Sequence, residues 1–111
     1  MPFIDTQEIA PFEKQPGWRG RIFHSPGMTF AHWSFEAGAE IHEHSHLQEE
    51  VWHVLDGELL VTIDGLRQVA GPGVVAIVPP HTPHHVVALT PGRAITVDNP
   101  QRPDFGPTPP P

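Results

Sequence analysis

Proline and glycine interrupt this chain every few residues, and the interruptions exclude most folds at once. Fifteen Pro and ten Gly are spread through 111 residues. Inside a helix, Pro deletes a hydrogen bond and collides with the preceding turn, while Gly loses too much conformational freedom. No apolar set recurs at the helical period over a useful length. Between the breaks lie short runs rich in Val, Ile, Phe, Trp and Thr: Trp18–His24, Met28–Phe35, Glu50–Leu55, Glu58–Ile63, Val74–Val78, His85–Leu89 and Ala94–Val97. Short strands at regular spacing predict an all-β sandwich or barrel. Asp56-Gly57 and Asp64-Gly65 are the dipeptides that type I′ hairpin turns prefer, because both central residues need φ > 0. Gly71-Pro72-Gly73, Pro79-Pro80 and Pro91-Gly92 mark further corners.

One domain is the expectation for this length, and a domain of this size buries a core without covalent staples. Residues 1–16 read as an N-terminal extension, in which Phe3, Ile4, Ile9 and Phe12 can dock on a neighbouring surface. Residues 17–100 read as the barrel and 101–111 as a Pro-rich tail, its last stretch from Gly106 to Pro111 extended and solvated. The absence of Cys excludes disulfides, zinc ribbons, iron–sulfur clusters and thiol catalysis. Tyr is also absent, so no phenol serves as acid or base. The formal charge is −7 with six Lys+Arg. That balance lacks the basic footprint that nucleic acid or an anionic membrane requires. No apolar run reaches membrane-spanning length and no secretory leader is visible, which makes the cytoplasm the expected location.

The chemistry concentrates in Gly38-Ala-Glu-Ile-His-Glu-His44-Ser-His46-Leu-Gln-Glu-Glu50. Residues i and i+2 of a strand face the same way, so His44 and His46 can aim two imidazoles at one point. Glu50 can bring a carboxylate oxygen there. Imidazole with carboxylate is a ligand mix for Zn, Fe, Mn, Ni or Cu. His42 shares the parity of His44 and His46 and reads as a rim group or a supporting partner. Glu49 has the opposite parity and reads as solvated.

These residues resemble a known family. Gly38-x5-His44-x-His46-x3-Glu50-x6-Gly57 matches the first motif of the cupin superfamily at every fixed position. Gly73-x5-Pro79-x-His81-x2-His84 is similar to the second motif, with His81 where the family usually has Gly. Ala88 stands where an Asn often follows the last histidine. The resemblance covers roughly residues 28–98 and implies a small single-domain cupin: a double-stranded β-helix, or jelly-roll barrel. It implies His44, His46, Glu50 and His84 as ligands of one divalent transition metal per chain, Fe, Zn, Ni or Mn. It also implies a homodimer, with an N-terminal strand swapped onto the partner through Phe3 to Phe12. A non-Gly residue at 81 is disfavoured if that turn needs φ > 0.

Other candidates follow from position. His53 reads as an outer-face or subunit-contact residue, His85 as pointing away from the metal, and His81 as lying at the barrel end. Trp33, Phe35 and Trp52 read as core. The stretch Val97-Asp98-Asn-Pro-Gln-Arg102 resembles the closing segment of small sugar-acid cupins. There Asp98 would be an acid/base beside the metal and Arg102 a carboxylate clamp; the alternative is a plain surface turn. Three functions compete: a dioxygenase with a three-His, one-Glu centre, placed first; a non-redox sugar or sugar-acid isomerase or lyase; and a ligand- or metal-binding barrel without turnover. The expected partner is a small molecule.

Overall fold

The structure, a computed structural model, describes residues 2–107. A short 3-10 turn, Thr6–Glu8, is capped by Asp5, whose carboxylate accepts the Gln7 amide at 2.9 Å. The strands are β1 Phe12–Gln15, β2 Trp18–His24, β3 Thr29–Phe35, β4 Glu40–His44, β5 Glu49–Asp56, β6 Leu59–Ile63, β7 Leu66–Ala70, β8 Val75–Val78, β9 His84–Ala88 and β10 Gly92–Asn99. They form two antiparallel sheets: a large one in the order β1-β2-β3-β10-β5-β8 and a small one in the order β4-β9-β6-β7. This is the all-β jelly roll that the sequence predicts. Each of the seven expected runs is a strand, its ends moved by no more than two residues. The strands β1 and β7, Phe-Glu-Lys-Gln and Leu-Arg-Gln-Val-Ala, carry too little apolar alternation to be read in advance.

Alternation decides the faces. In β2 and β3 every second residue is buried, from Trp18 to His24 and from Thr29 to Phe35. The strand pairing stacks these inward residues into rows across the large sheet. One row is Gly20, Trp33, Ala94 and Val54. The next is Ile22, Ala31, Thr96, Trp52 and Ala76. With Leu59, Val61, Val86 and Ala88 from the small sheet they make one core. Each fully buried aliphatic side chain stabilises the fold by about 1.5–3 kcal/mol. Gly20 is required by this packing, since a Cβ there would lie 2.7 Å from the Trp33 ring. Trp18 meets Trp33 and Trp52 edge-on, with centroids 6.1 and 5.8 Å apart.

The last inward row is different. It reads His24, Thr29, Asp98 and Glu50 across β2, β3, β10 and β5. All four are buried. A polar row at one end of an apolar barrel must find partners or a ligand. On the opposite face of the same sheet, Phe23, Phe30, Val97, Val51 and Ile77 align in one apolar row.

The turns divide. Asp64-Gly65 closes the β6–β7 hairpin, with Ile63 paired to Leu66 and φ of 49° and 80° at the two central residues. That is the expected type I′ signature. Asp56-Gly57 closes no hairpin, because β5 and β6 lie in different sheets. It carries the chain from one sheet to the other. The first strand, β1, pairs with β2 of its own chain, while Phe3 and Ile4 stay exposed. Residues 101–106, expected within the tail, fold back on the barrel: Phe105 packs on the core and Gly106 lies against Ile22. The remainder of the expected extended end, 108–111, falls outside the described residues.

Candidate metal centre

Three imidazoles converge at the polar end. His44 closes β4, His46 follows in the loop to β5, and His84 opens β9. Their ring centroids are 4.2 Å apart for His44 and His84, 4.9 Å for His46 and His84, and 5.5 Å for His44 and His46. One nitrogen from each lies within 4.8 Å of the others. A regular strand would bring His44 and His46 to this point from one face, but the chain takes another route. Pairing runs Ile41↔Val86 and then His44↔His84, so His42 and Glu43 together face one partner residue. This bulge turns His44 inward. The strand then ends, and the loop, not a second inward position, aims His46. His42 therefore does not share the face of His44. Its side chain is exposed at the pocket rim, and its carbonyl accepts the His44 Nδ1 proton at 2.8 Å.

The same support recurs at each ring. His46 Nδ1 donates to the Gln48 carbonyl at 3.1 Å, and His84 Nδ1 to the Thr82 carbonyl at 2.9 Å. With Nδ1 so engaged, Nε2 of a neutral ring is left as a lone pair, the state a metal ion needs; at His84 the contact with Glu50 outweighs burial and raises the pKa. Nε2 of His46 and of His84 are buried without a hydrogen-bond partner. That combination fits a divalent metal ion. Burial, and then the charge of Arg102, lower the His46 pKa to about 4, and burial lowers that of His44. Both rings are neutral at neutral pH.

Glu50 and Asp98 pair in register across β5 and β10 and face the same point. Glu50 is 2% exposed and Asp98 not at all. Glu50 Oε1 accepts from Trp52 Nε1 at 2.7 Å and lies 3.3 Å from His84 Nε2. Its Oε2 accepts from Arg102 at 3.3 Å and lies 3.8 Å from His46 Nε2. Burial would raise the Glu50 pKa, but contacts with His84, Asp98 and Trp52 and the Arg102 charge hold it at about 2. Asp98 has no hydrogen-bond partner on either oxygen, and Arg102 stands 3.8 Å away. Burial first, and then the Glu50 charge, push its pKa up to about 9. Two adjacent carboxyl groups thus hold one proton, on Asp98. His46, Glu50 and Asp98 form a second group with metal-ligand spacing that shares His46 with the first. A cavity of about 320 Å³ opens beside the centre, lined by Lys14, Trp18, His44, Glu50, Arg102 and Phe105 among others.

The Cupin domain family matches residues 31–98. The chain belongs to the cupin family. The barrel is similar to an RmlC-like cupin from Shewanella frigidimarina, at 28% identity, TM-score 0.89 and 96% coverage of each chain. It is also similar to KdgF from Halomonas sp., at 28% identity, TM-score 0.88 and coverage of 96% of this chain and 99% of that one. Salicylate 1,2-dioxygenase from Pseudoaminobacter salicylatoxidans shares the fold alone, at 18% identity, TM-score 0.72 and coverage of 77% and 27%. No curated protein sequence matches the chain.

In this cupin the unusual residue of the second motif sits where a side chain is costly. His81 has φ of 59°, the left-handed region that a Gly would adopt without strain. Its amide donates to the His46 carbonyl at 2.7 Å, so the turn holds the His46 loop. Glu49 and His53 are exposed on the outer side of β5, as parity predicts. His85 points away from the centre and pairs with Glu40. Asp98 and Arg102 both face the centre, not a surface turn. Three contributors were not legible. Gln48 ties the His46 loop to the Gln101 carbonyl at 2.9 Å. The Thr29 hydroxyl accepts the Arg102 amide and contacts His24, each at 2.8 Å. Lys14 reaches the pocket from β1, and its only sequence signal is that it is the chain's sole lysine. Among the described residues, no helix is long and apolar enough to cross a membrane.

Proposed function

We propose that this cupin is a metal-dependent enzyme of the isomerase or lyase kind, moving a proton on a small sugar acid without net oxidation. Asp98 is the observation that carries this reading: a fully buried carboxyl that has no hydrogen-bond partner and lies at the candidate metal centre beside Arg102. His44, His46, His84 and Glu50 would hold the metal. The ion, when bound, acts as a Lewis acid on a substrate oxygen. Asp98 gives a proton to the reacting carbon or oxygen and takes one back. Arg102 has further N–H donors beyond the one given to Glu50, and these suit a substrate carboxylate. The Trp18, Trp33 and Trp52 side chains wall the pocket against water.

The dioxygenase reading needs only open metal positions, and it leaves Asp98 and Arg102 without a task. The test is direct. Protein purified anaerobically without chelator is assayed for bound metal, then incubated with uronic acids and their unsaturated or keto forms. Products are followed by proton NMR with an oxygen electrode in parallel. Conversion should need the metal, consume no oxygen, and fall at least about 100-fold in Asp98→Asn. Oxygen uptake with a catechol or diketone, and no conversion of sugar acids, would replace this reading with the oxygenase.

A further inference from the structure

We propose that Lys14 and Arg102 form a two-cation clamp, built around the Phe105 ring, that grips the carboxylate of the substrate at the pocket mouth. The clamp takes its substrate class from the sugar-acid reading above, but its geometry stands apart from any reaction.

Lys14 sits in the pocket because β1 is irregular. Pairing runs Glu13↔Arg19 and then Gln15↔Trp18, which leaves Lys14 unpaired in a bulge. A regular strand would send Lys14 and Gln15 to opposite faces. Here both are half-buried and both line the pocket. A bulge is a common device for re-aiming a side chain at a site. Lys14 Nζ lies 4.9 Å from the centroid of Phe105, and Arg102 Cζ lies 4.1 Å from the same centroid.

Two like charges gathered on one ring need something to hold them. The ring face supplies part of that attraction. No carboxylate of the described residues pairs with Lys14, and its neighbour Glu13 is turned to Arg19 at 3.8 Å. Burial, and then the charge of Arg102, lower the Lys14 pKa, so both cations gain from an anion between them. Arg102 spends only one nitrogen, NH1, on Glu50 and Asp98. The indole N–H of Trp18, a residue on the same pocket, is buried without a partner. The surroundings sharpen the selection. The chain carries −7, and a field of that sign repels an anion except where cations are concentrated. Two of its six Lys+Arg meet here.

The test uses metal-loaded, full-length protein and reads its own fluorescence, because all three tryptophans line the pocket. D-galacturonate and D-glucuronate are titrated against D-galactose and D-glucose, which lack the carboxylate. The acids should quench saturably and the neutral sugars should not. Lys14→Met should weaken the acids at least about 10-fold, the loss of one charge-assisted hydrogen bond, and Lys14→Arg should recover most of it. Acetic anhydride labelling, read by mass spectrometry at this one lysine, should be suppressed by the acids alone. Equal affinity for acid and neutral sugar, no saturable binding of either acid, or unchanged affinity in Lys14→Met would each overturn the clamp. Lysine-dependent binding without turnover would keep the clamp and remove the proposed reaction. Turnover with lysine-independent binding would do the reverse.

Discussion

A carboxyl group with no exposed surface, next to an ionised one, is costly to charge, and Asp98 bears that cost. Its pKa stands at about 9 in the folded chain, against about 3.9 in an unfolded one. The native state therefore binds the extra proton between those values. The stability that Asp98 contributes is fully present below the lower value and is lost as pH rises through the upper one. In chelator-treated protein, melting temperature should fall from pH 7 to pH 9, above the window in which the lowered pKa values of His46 and His44 make stability rise with pH. Asp98→Asn should flatten that fall and melt at least about 4 °C higher at pH 8, the shift of roughly 1 kcal/mol in a domain of this size. Calorimetry in EDTA checks it, and an unchanged slope would mean that Asp98 holds no proton. The residue itself was legible in the sequence. Its protonation was not, because that depends on Glu50 standing opposite it in the register of two distant strands.

Strands were legible wherever apolar residues alternate, and their irregularities were not. Alternation assumes one residue per pleat position. The bulges in β1 and β4 each add one, and each re-aims a residue of the site, Lys14 or His44. No local composition marks them. Dipeptide turn chemistry also tells less than the element needs. Gly57 and Gly65 both follow Asp and both have φ near 80°. At Gly65 a Cβ would meet nothing, so Gly65→Ala costs about 1–2 kcal/mol, the left-handed penalty alone. At Gly57 a Cβ would lie 2.3 Å from the Pro91 carbonyl oxygen, in the crossing between sheets. Gly57→Ala should cost clearly more, as read by urea denaturation of both variants. Equal costs would show that the crossing relaxes freely.

The whole molecule is two sheets closed at one end by polar side chains. Three imidazoles come from or beside the small sheet, and Glu50 comes from the large one. A metal ion shared among them would tie the sheets together, and whatever binds the folded state alone stabilises it. Free metal at 100 times its dissociation constant adds about 2.7 kcal/mol. Chelation should therefore lower the melting temperature by about 10 °C or more, and stoichiometric metal should restore it. A melting point indifferent to metal that elemental analysis shows to be bound would contradict a bridging role. The division of ligands also has a use. The link between β7 and β8, Gly71-Pro72-Gly73, is open enough that a Cβ at either glycine meets nothing. Severed there, one fragment keeps His44, His46 and Glu50, and the other keeps His84 and Asp98. Neither fragment owns a coordination sphere. The candidate centre is a conjunction written across two halves, and with a coloured metal bound there this barrel would become a complementation reporter, lit only when its pieces have found each other.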